Sequence, residues 1–181
     1  TGSFEEYLEK GGISYIPEET YTAFVENVKA QSVLFGEEVN KDTAIVYPGI
    51  CLFAATNVSE GRGTTRPFEL FGAPFIDAKK LCRYLNGLKL PGVYFRENYF
   101  QPTFHKGAGQ ICGGAQIHVL DREKFRSFEM AVRILRYLLH EYPNHFAWKN
   151  PPYEYEYEKL PIDILLGSGM CRKDFIENGE L

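Results

Sequence analysis

The stretch TNVSEGRGTTRPFE, residues 56–69, concentrates more hydrogen-bonding capacity than a short connection needs. Gly61 and Gly63 flank Arg62, and glycine tolerates both positive φ and close backbone approach, so the loop turns twice around one guanidinium. That planar fork of five donors suits a carboxylate or vicinal hydroxyls. Asn57, Ser59, Thr64 and Thr65 add neutral donors and acceptors, and Glu60 adds a charged acceptor. Together they match a sugar or sugar acid, with its hydroxyls, amide and carboxylate. The competing reading keeps the same groups at home: Glu60 pairs with Arg62, and the hydroxyls cap the Arg66-Pro67 turn. A third keeps Asn57-Val58-Ser59 as a glycosylation sequon. No phosphate loop is present, since neither G-x-x-x-x-G-K nor G-x-G-x-x-G occurs.

A second cluster, TFHKGAGQICGGAQIHV at residues 103–119, places His105, Lys106, Gln110 and Gln116 among four glycines. His105-Lys106 could bind a carboxylate; alternatively the segment is a glycine-rich connection packed under a sheet. Both loops adjoin expected strands, so they are expected to face one another across a pocket. For glycoside hydrolysis two acids are needed, about 5–5.5 Å apart for retention and about 6.5–9.5 Å for inversion. Glu60 is the local candidate, with Glu69 and Asp77 as partners.

The elements that must hold these loops follow from periodicity. Ser3-Phe-Glu-Glu6 resembles a capping box closed by Gly11-Gly12, and a second helix runs from Pro17 to about Gln31. Ala44–Tyr47 and Ile50–Ala54 read as strands broken at Pro48-Gly49. Asp77 caps a helix whose stripe is Ala78, Leu81, Cys82, Leu85 and Leu88. Val93–Phe100 and Gln116–Leu120 read as strands, and Asp121 caps a helix from Glu123 to about Tyr142 with Phe125, Phe128, Val132, Leu135 and Leu139 inward. Tyr153–Glu158 alternates aromatic and acid, the pattern of a half-exposed strand. Pro161–Gly167 and Met170–Asn178 close the chain as short helices. The expected class is α/β or α+β, a sheet flanked by helices.

At 181 residues, 44% apolar and 24% charged, the chain has the makeup of one soluble domain able to bury a core without disulfide or metal. Net charge −4 and the absence of any basic run argue against nucleic acid. No apolar run approaches the roughly 20 residues of a membrane span. The four cysteines and four histidines show no metal-ligand spacing, so neither metal nor cofactor is expected. The start at Thr1 rather than Met reads as a processed or truncated end, and the compartment stays open.

TAIVYPGICLF followed by TNVSEGRGTTRPFELFGAPFID resembles the bacterial exo-β-N-acetylmuramidase family, long described as a domain of unknown function. The resemblance continues through PTFHKGAGQICGGAQIHVLDREKFR, YPNHFAW and PPYEYEYEKLPIDILLGS, and covers residues 42–180. It implies that residues 42–181 form the C-terminal domain of a peptidoglycan-recycling glycosidase that releases N-acetylmuramic acid, with residues 1–41 an unplaced helical segment. It also implies a Rossmann-like N-terminal half, in the same or another chain, that carries the catalytic glutamates. This chain departs from the family pattern at Ala54, Gly107 and Gly169, where Glu, His or Tyr, and Asp are usual. With the catalytic glutamates implied for that N-terminal half, the expected role of this chain is substrate binding. A complete or diverged glycosidase using Glu60, and a non-catalytic structural or interaction module, remain alternatives.

Overall fold

In a computed structural model of the protein, residues 41–178 are described, all of them within one compact unit, Lys41–Leu181. The helices expected between Ser3 and Gln31 lie outside the described residues. In chain order the elements are α1 (Lys41–Ile50), a 3-10 turn (Cys51–Ala55), β1 (Leu70–Ala73), α2 (Ala78–Gly87), β2 (Val93–Phe100), β3 (Cys112–Val119) and α3 (Ser127–Glu141). Two short helices follow, α4 (Pro161–Leu165) and α5 (Gly169–Arg172), and then a π turn over Lys173–Glu177. The class is α+β.

The three strands pair antiparallel in the order β1-β3-β2. β3 is the centre, and Gly113 and Gly114 lie inside it rather than in a turn ahead of it. Their register explains the residue type: a Cβ on Gly114 would stand 1.9 Å from the Phe71 carbonyl oxygen across the ladder. β3 therefore begins at Cys112, four residues before the start that β-branched content predicts. β2 matches its expected bounds. Its outer edge is closed at Phe95, whose N–H and C=O both bond the Asn86 amide of α2, at 3.0 and 2.8 Å.

The largest correction concerns residues 44–54, which are helical and not two strands. Thr43, Val46 and Ile50 are buried at helical spacing, and the apolar runs between them had hidden that period. Pro48 sits inside α1 and removes one amide donor. α1 packs on α3 at one close point. Ser127 Oγ donates to the Val46 carbonyl at 2.7 Å and accepts from Gly49 N–H at 2.8 Å. A Cβ on Gly49 would meet the Ser127 carbonyl oxygen at 2.0 Å.

Asp77 caps α2 as expected, accepting from Lys80 N–H at 2.9 Å. α2 lies against β2 and β3, and Tyr84 stacks on Tyr137 of α3 at 4.3 Å. Asp121 caps only the turn before α3, through the Glu123 and Lys124 amides, so α3 starts at Ser127 instead of Glu123. Of the expected stripe, Val132 and Leu135 are buried on α3, while Phe125 is buried ahead of it. Glu129 and Arg133 pair at 3.4 Å.

Tyr153–Glu158 is not a strand. Glu156 Oε1 accepts from the N–H groups of Tyr157, Glu158 and Lys159, and this local ring of bonds outcompetes a ladder. The Tyr153–Glu156 backbone closes a tight turn, leaving Tyr155 92% exposed. α4 and α5 appear where helices were expected, clasped by Arg172 Nε to Asp163 Oδ1 at 2.6 Å and by an Arg172–Glu177 ion pair.

Candidate functional site

Residues 56–69 form an excursion pinched at its neck. Ser59 and Gly72 exchange backbone bonds at 2.8 and 3.0 Å, and Phe68 N–H donates to the Glu60 carbonyl at 2.8 Å. Gly61 and Gly63 hold φ of +77° and +78°, the left-handed region that favours glycine. Gly63 also meets the second loop: its carbonyl accepts from Thr103 N–H at 2.9 Å and Thr103 Oγ1 at 3.0 Å. A Cβ there would stand 2.8 Å from Phe104 N and O. The two loops thus pack directly on each other rather than facing across a pocket, which corrects the expectation from their shared strand-end position.

Their joint is electrostatic. Glu60, 4% exposed, accepts from Lys106 Nζ through Oε2 at 2.8 Å and pairs through Oε1 with Arg62 Nε at 3.3 Å. Lys106 spends its remaining protons on the carbonyls of Phe53 at 2.7 Å and Val58 at 3.1 Å. Burial pushes this ammonium below the ordinary lysine range, against the opposing pull of Glu60; the charges of Lys149 and Arg62 lower it further. Lys106 is therefore an internal tie, with three acceptors converging on it within the fold.

Arg62 is placed differently. Its guanidinium carbon stands 5.1 Å above the Phe68 ring, and Tyr47 meets that ring edge-on at 4.7 Å. Glu60 and Phe68 back the group, while its two terminal nitrogens make no hydrogen bond to a described residue. The side chain is 37% exposed. A guanidinium braced behind and open in front is prepared to receive an anion with two parallel bonds.

The other expected binding residues divide. Asn57 is committed to the backbone of the 145–147 segment, its Nδ2 donating to His145 O at 2.7 Å and its Oδ1 accepting from Ala147 N–H at 3.0 Å. Ser59 is buried and receives Gly61 N–H at 3.2 Å. Thr64 Oγ1 donates to Gly61 O at 2.6 Å and accepts from Arg66 N–H at 3.2 Å, which is the internal capping that the competing reading anticipated. Gln116, buried on β3, accepts from Arg96 Nη2 at 2.5 Å. Thr65, His105 and Gln110 are exposed. Among carboxylates, Glu69 is held by Thr43 Oγ1 at 2.8 Å and Arg66 Nη1 at 2.9 Å, and Asp77 is the α2 cap. Glu60, Glu69 and Asp77 thus each have a partner within the fold.

Periodicity and motif reading missed a neighbouring group. Residues 55–57 run alongside 147–149, with Thr56 bridged to Trp148 and Lys149 N–H donating to Ala55 O at 2.8 Å. The Lys149 ammonium sits 5.7 Å above the Tyr153 ring. Burial raises the Tyr153 phenol, Glu154 adding to this and Arg62 opposing it; burial likewise raises Tyr47, with Cys51 adding and Arg62 opposing. Both phenols therefore lie within the field of Arg62. The only available signal was a lysine among the aromatics of HFAWKNPPYEY. Among the described residues no three His, Cys, Asp or Glu side chains converge as metal ligands, and no helix is long and apolar enough to cross a membrane.

The comparisons with known proteins agree with one another. A family model described as exo-beta-N-acetylmuramidase NamZ, C-terminal, matches residues 45–181. The peptidoglycan beta-N-acetylmuramidase NamZ of Bacillus subtilis (strain 168) is 42% identical over 138 residues, covering 76% of this chain and 31% of that protein. The crystal structure of a DUF1343 family protein from Bacteroides fragilis NCTC 9343 superposes with a TM-score of 0.61 at 28% identity, over 73% of this chain and 34% of that one. The chain thus spans about a third of the length of these relatives. It belongs to the exo-beta-N-acetylmuramidase NamZ family, in its C-terminal part.

Proposed function

We propose that this chain is the substrate-binding half of an exo-β-N-acetylmuramidase-like glycoside hydrolase, recognising N-acetylmuramic acid at the end of peptidoglycan fragments. The observation that carries the reading is Arg62, braced by Glu60 and Phe68 with its terminal nitrogens unengaged by the described fold. The lactyl carboxylate of muramic acid is the group such a fork accepts, and one charged hydrogen bond contributes about 1.5–3 kcal/mol. The acid and base come from outside this domain, from a Rossmann-like half in the same or another chain, because Glu60, Glu69 and Asp77 are engaged within the fold.

Calorimetry with N-acetylmuramic acid tests this reading. The protein should bind the sugar and Arg62→Ala should not; equal heats for the two would reject it. The isolated chain should release no N-acetylmuramic acid from a chromogenic muramide, and release would restore the complete-glycosidase alternative.

A structural role for the loops draws on the inward use of Asn57, Ser59 and Thr64. It accounts for those three residues and for the Arg62 Nε–Glu60 pair, but gives the terminal nitrogens of Arg62 no partner among the described residues.

A further inference from the structure

Among the described residues four that are not glycine hold a positive φ, and three of them, Lys89, His105 and Glu154, are exposed. The fourth, Phe68 at φ +66°, is 6% exposed. A bulky side chain in the left-handed region is strained, and such strain persists only where the surroundings impose it. Here α1 imposes it. Thr43 and Tyr47 stand four residues apart on one face of that helix and hold two consecutive residues of the loop. Thr43 Oγ1 donates to Glu69 at 2.8 Å, and the Tyr47 ring meets Phe68 edge-on at 4.7 Å. Extended backbone would send the Phe68 and Glu69 side chains to opposite sides; the left-handed step brings both to the same helix.

The strained residue is the one beneath Arg62, whose guanidinium carbon lies 5.1 Å from the ring centroid. Glu60 does not set the plane of that fork by itself. Its Oε1 stands 3.3 Å from Arg62 Nε, a looser contact than the 2.8 Å between its Oε2 and Lys106 Nζ. One contact at Nε leaves the guanidinium able to turn about it, and a ring face beneath removes that freedom. We infer that Phe68 is a positioning residue: its ring, pinned to α1 through left-handed backbone, fixes the direction in which Arg62 presents its two terminal nitrogens. The inference rests on the proposed function, because it presumes that a muramic acid carboxylate arrives at those nitrogens.

The test uses the full 181-residue chain, isotope-labelled for NMR, in two measurements. The Arg62 Nε–Hε resonance is first assigned by its loss in Arg62→Lys. A ring face over the group shifts this proton upfield and holds it rigid on the timescale that the heteronuclear NOE reads. Phe68→Leu should move the shift toward that of the exposed arginines and lower the NOE, while Phe68→Tyr, which keeps the ring, should preserve both. In calorimetry Phe68→Leu should weaken N-acetylmuramic acid about tenfold, the order of a partly desolvated cation–ring contact, and Phe68→Tyr no more than about twofold. The heat with N-acetylglucosamine, which lacks the lactyl group, should not change. Tyr47→Leu, which frees the ring and leaves the loop's own sequence intact, should fall between the two, and it decides the matter where Phe68→Leu does not fold. An unmoved Arg62 resonance in the deciding variant overturns the inference. So does its equal affinity with wild type for N-acetylmuramic acid while Arg62→Ala stays deficient, and the proposed function then stands. Equal loss for both sugars overturns it as well, since that is damage to the loop. Absence of N-acetylmuramic acid binding by the wild type overturns both.

Discussion

Glu60 and Lys106, 46 residues apart, form an ion pair at 2.8 Å that fastens the two polar loops together from the inside. The carboxylate that sequence chemistry nominated for a substrate is therefore the counter-ion of a partly buried ammonium. Glu60→Gln should cost about 1–3 kcal/mol, and Lys106→Met, which removes three bonds, at least as much. The double variant should cost less than the two singles together, because the partners share one interaction. Urea denaturation of the four proteins measures this, and strictly additive costs would show that the pair is not coupled.

Gly63 and Gly109 separate conformational strain from close packing. Both hold positive φ, +78° and +72°, but a side chain at Gly63 would strike the Phe104 backbone while Gly109 faces open space. Gly109→Ala should cost about 1–2 kcal/mol from the left-handed backbone alone. Gly63→Ala should cost more and should also loosen residues 101–110, read as faster amide exchange there. Matching costs at the two positions would contradict the loop-on-loop contact.

Thiol reactivity should follow burial. Burial pushes Cys51 up to about 11 and Cys82 up to about 12. At pH 8 the Cys51 thiolate is then about one part in a thousand and Cys82 about one in ten thousand. Iodoacetamide should leave both unmodified in the native protein and alkylate both in denaturant, with peptide mass spectrometry as the readout. Rapid native labelling of Cys82 would refute its burial.

The turn after Tyr153 should respond to acid. Amide donors from Glu158, then Lys159 and Tyr157, hold the Glu156 carboxyl below its ordinary 4.5. A depressed carboxyl contributes stability that is complete above the unfolded value and is lost as pH falls through the lower folded value. An NMR titration should place the Glu156 midpoint below 4.5, with the Tyr157, Glu158 and Lys159 amides shifting in step. A midpoint at or above 4.5 would remove the carboxylate from the turn.

Local signals were legible wherever one element's own residues decide its shape. Asp77 marked the start of α2, and Val93–Phe100 showed β2 at its full length. The failures share a cause. Residues 44–54 are wrapped by core on most sides, so their apolar run loses the contrast that separates a period of 3.6 from a period of 2. Tyr153–Glu158 has a strand's alternation, but one glutamate bonding three following amides overrides it. The same limit applies to the site. The Gly-Arg-Gly spacing announced that Arg62 is held in place, whereas its direction depends on Lys106, Phe68 and Tyr47, and Lys149 arrives from beyond α3. Pairings across such separations leave no mark in spacing.

The Asn57 amide bonds at both ends to the backbone of residues 145–147. The segment bearing Arg62 and the one bearing Lys149 are thereby joined through one side chain. A displacement of either segment is therefore carried to the other, and the two answer a load as one piece.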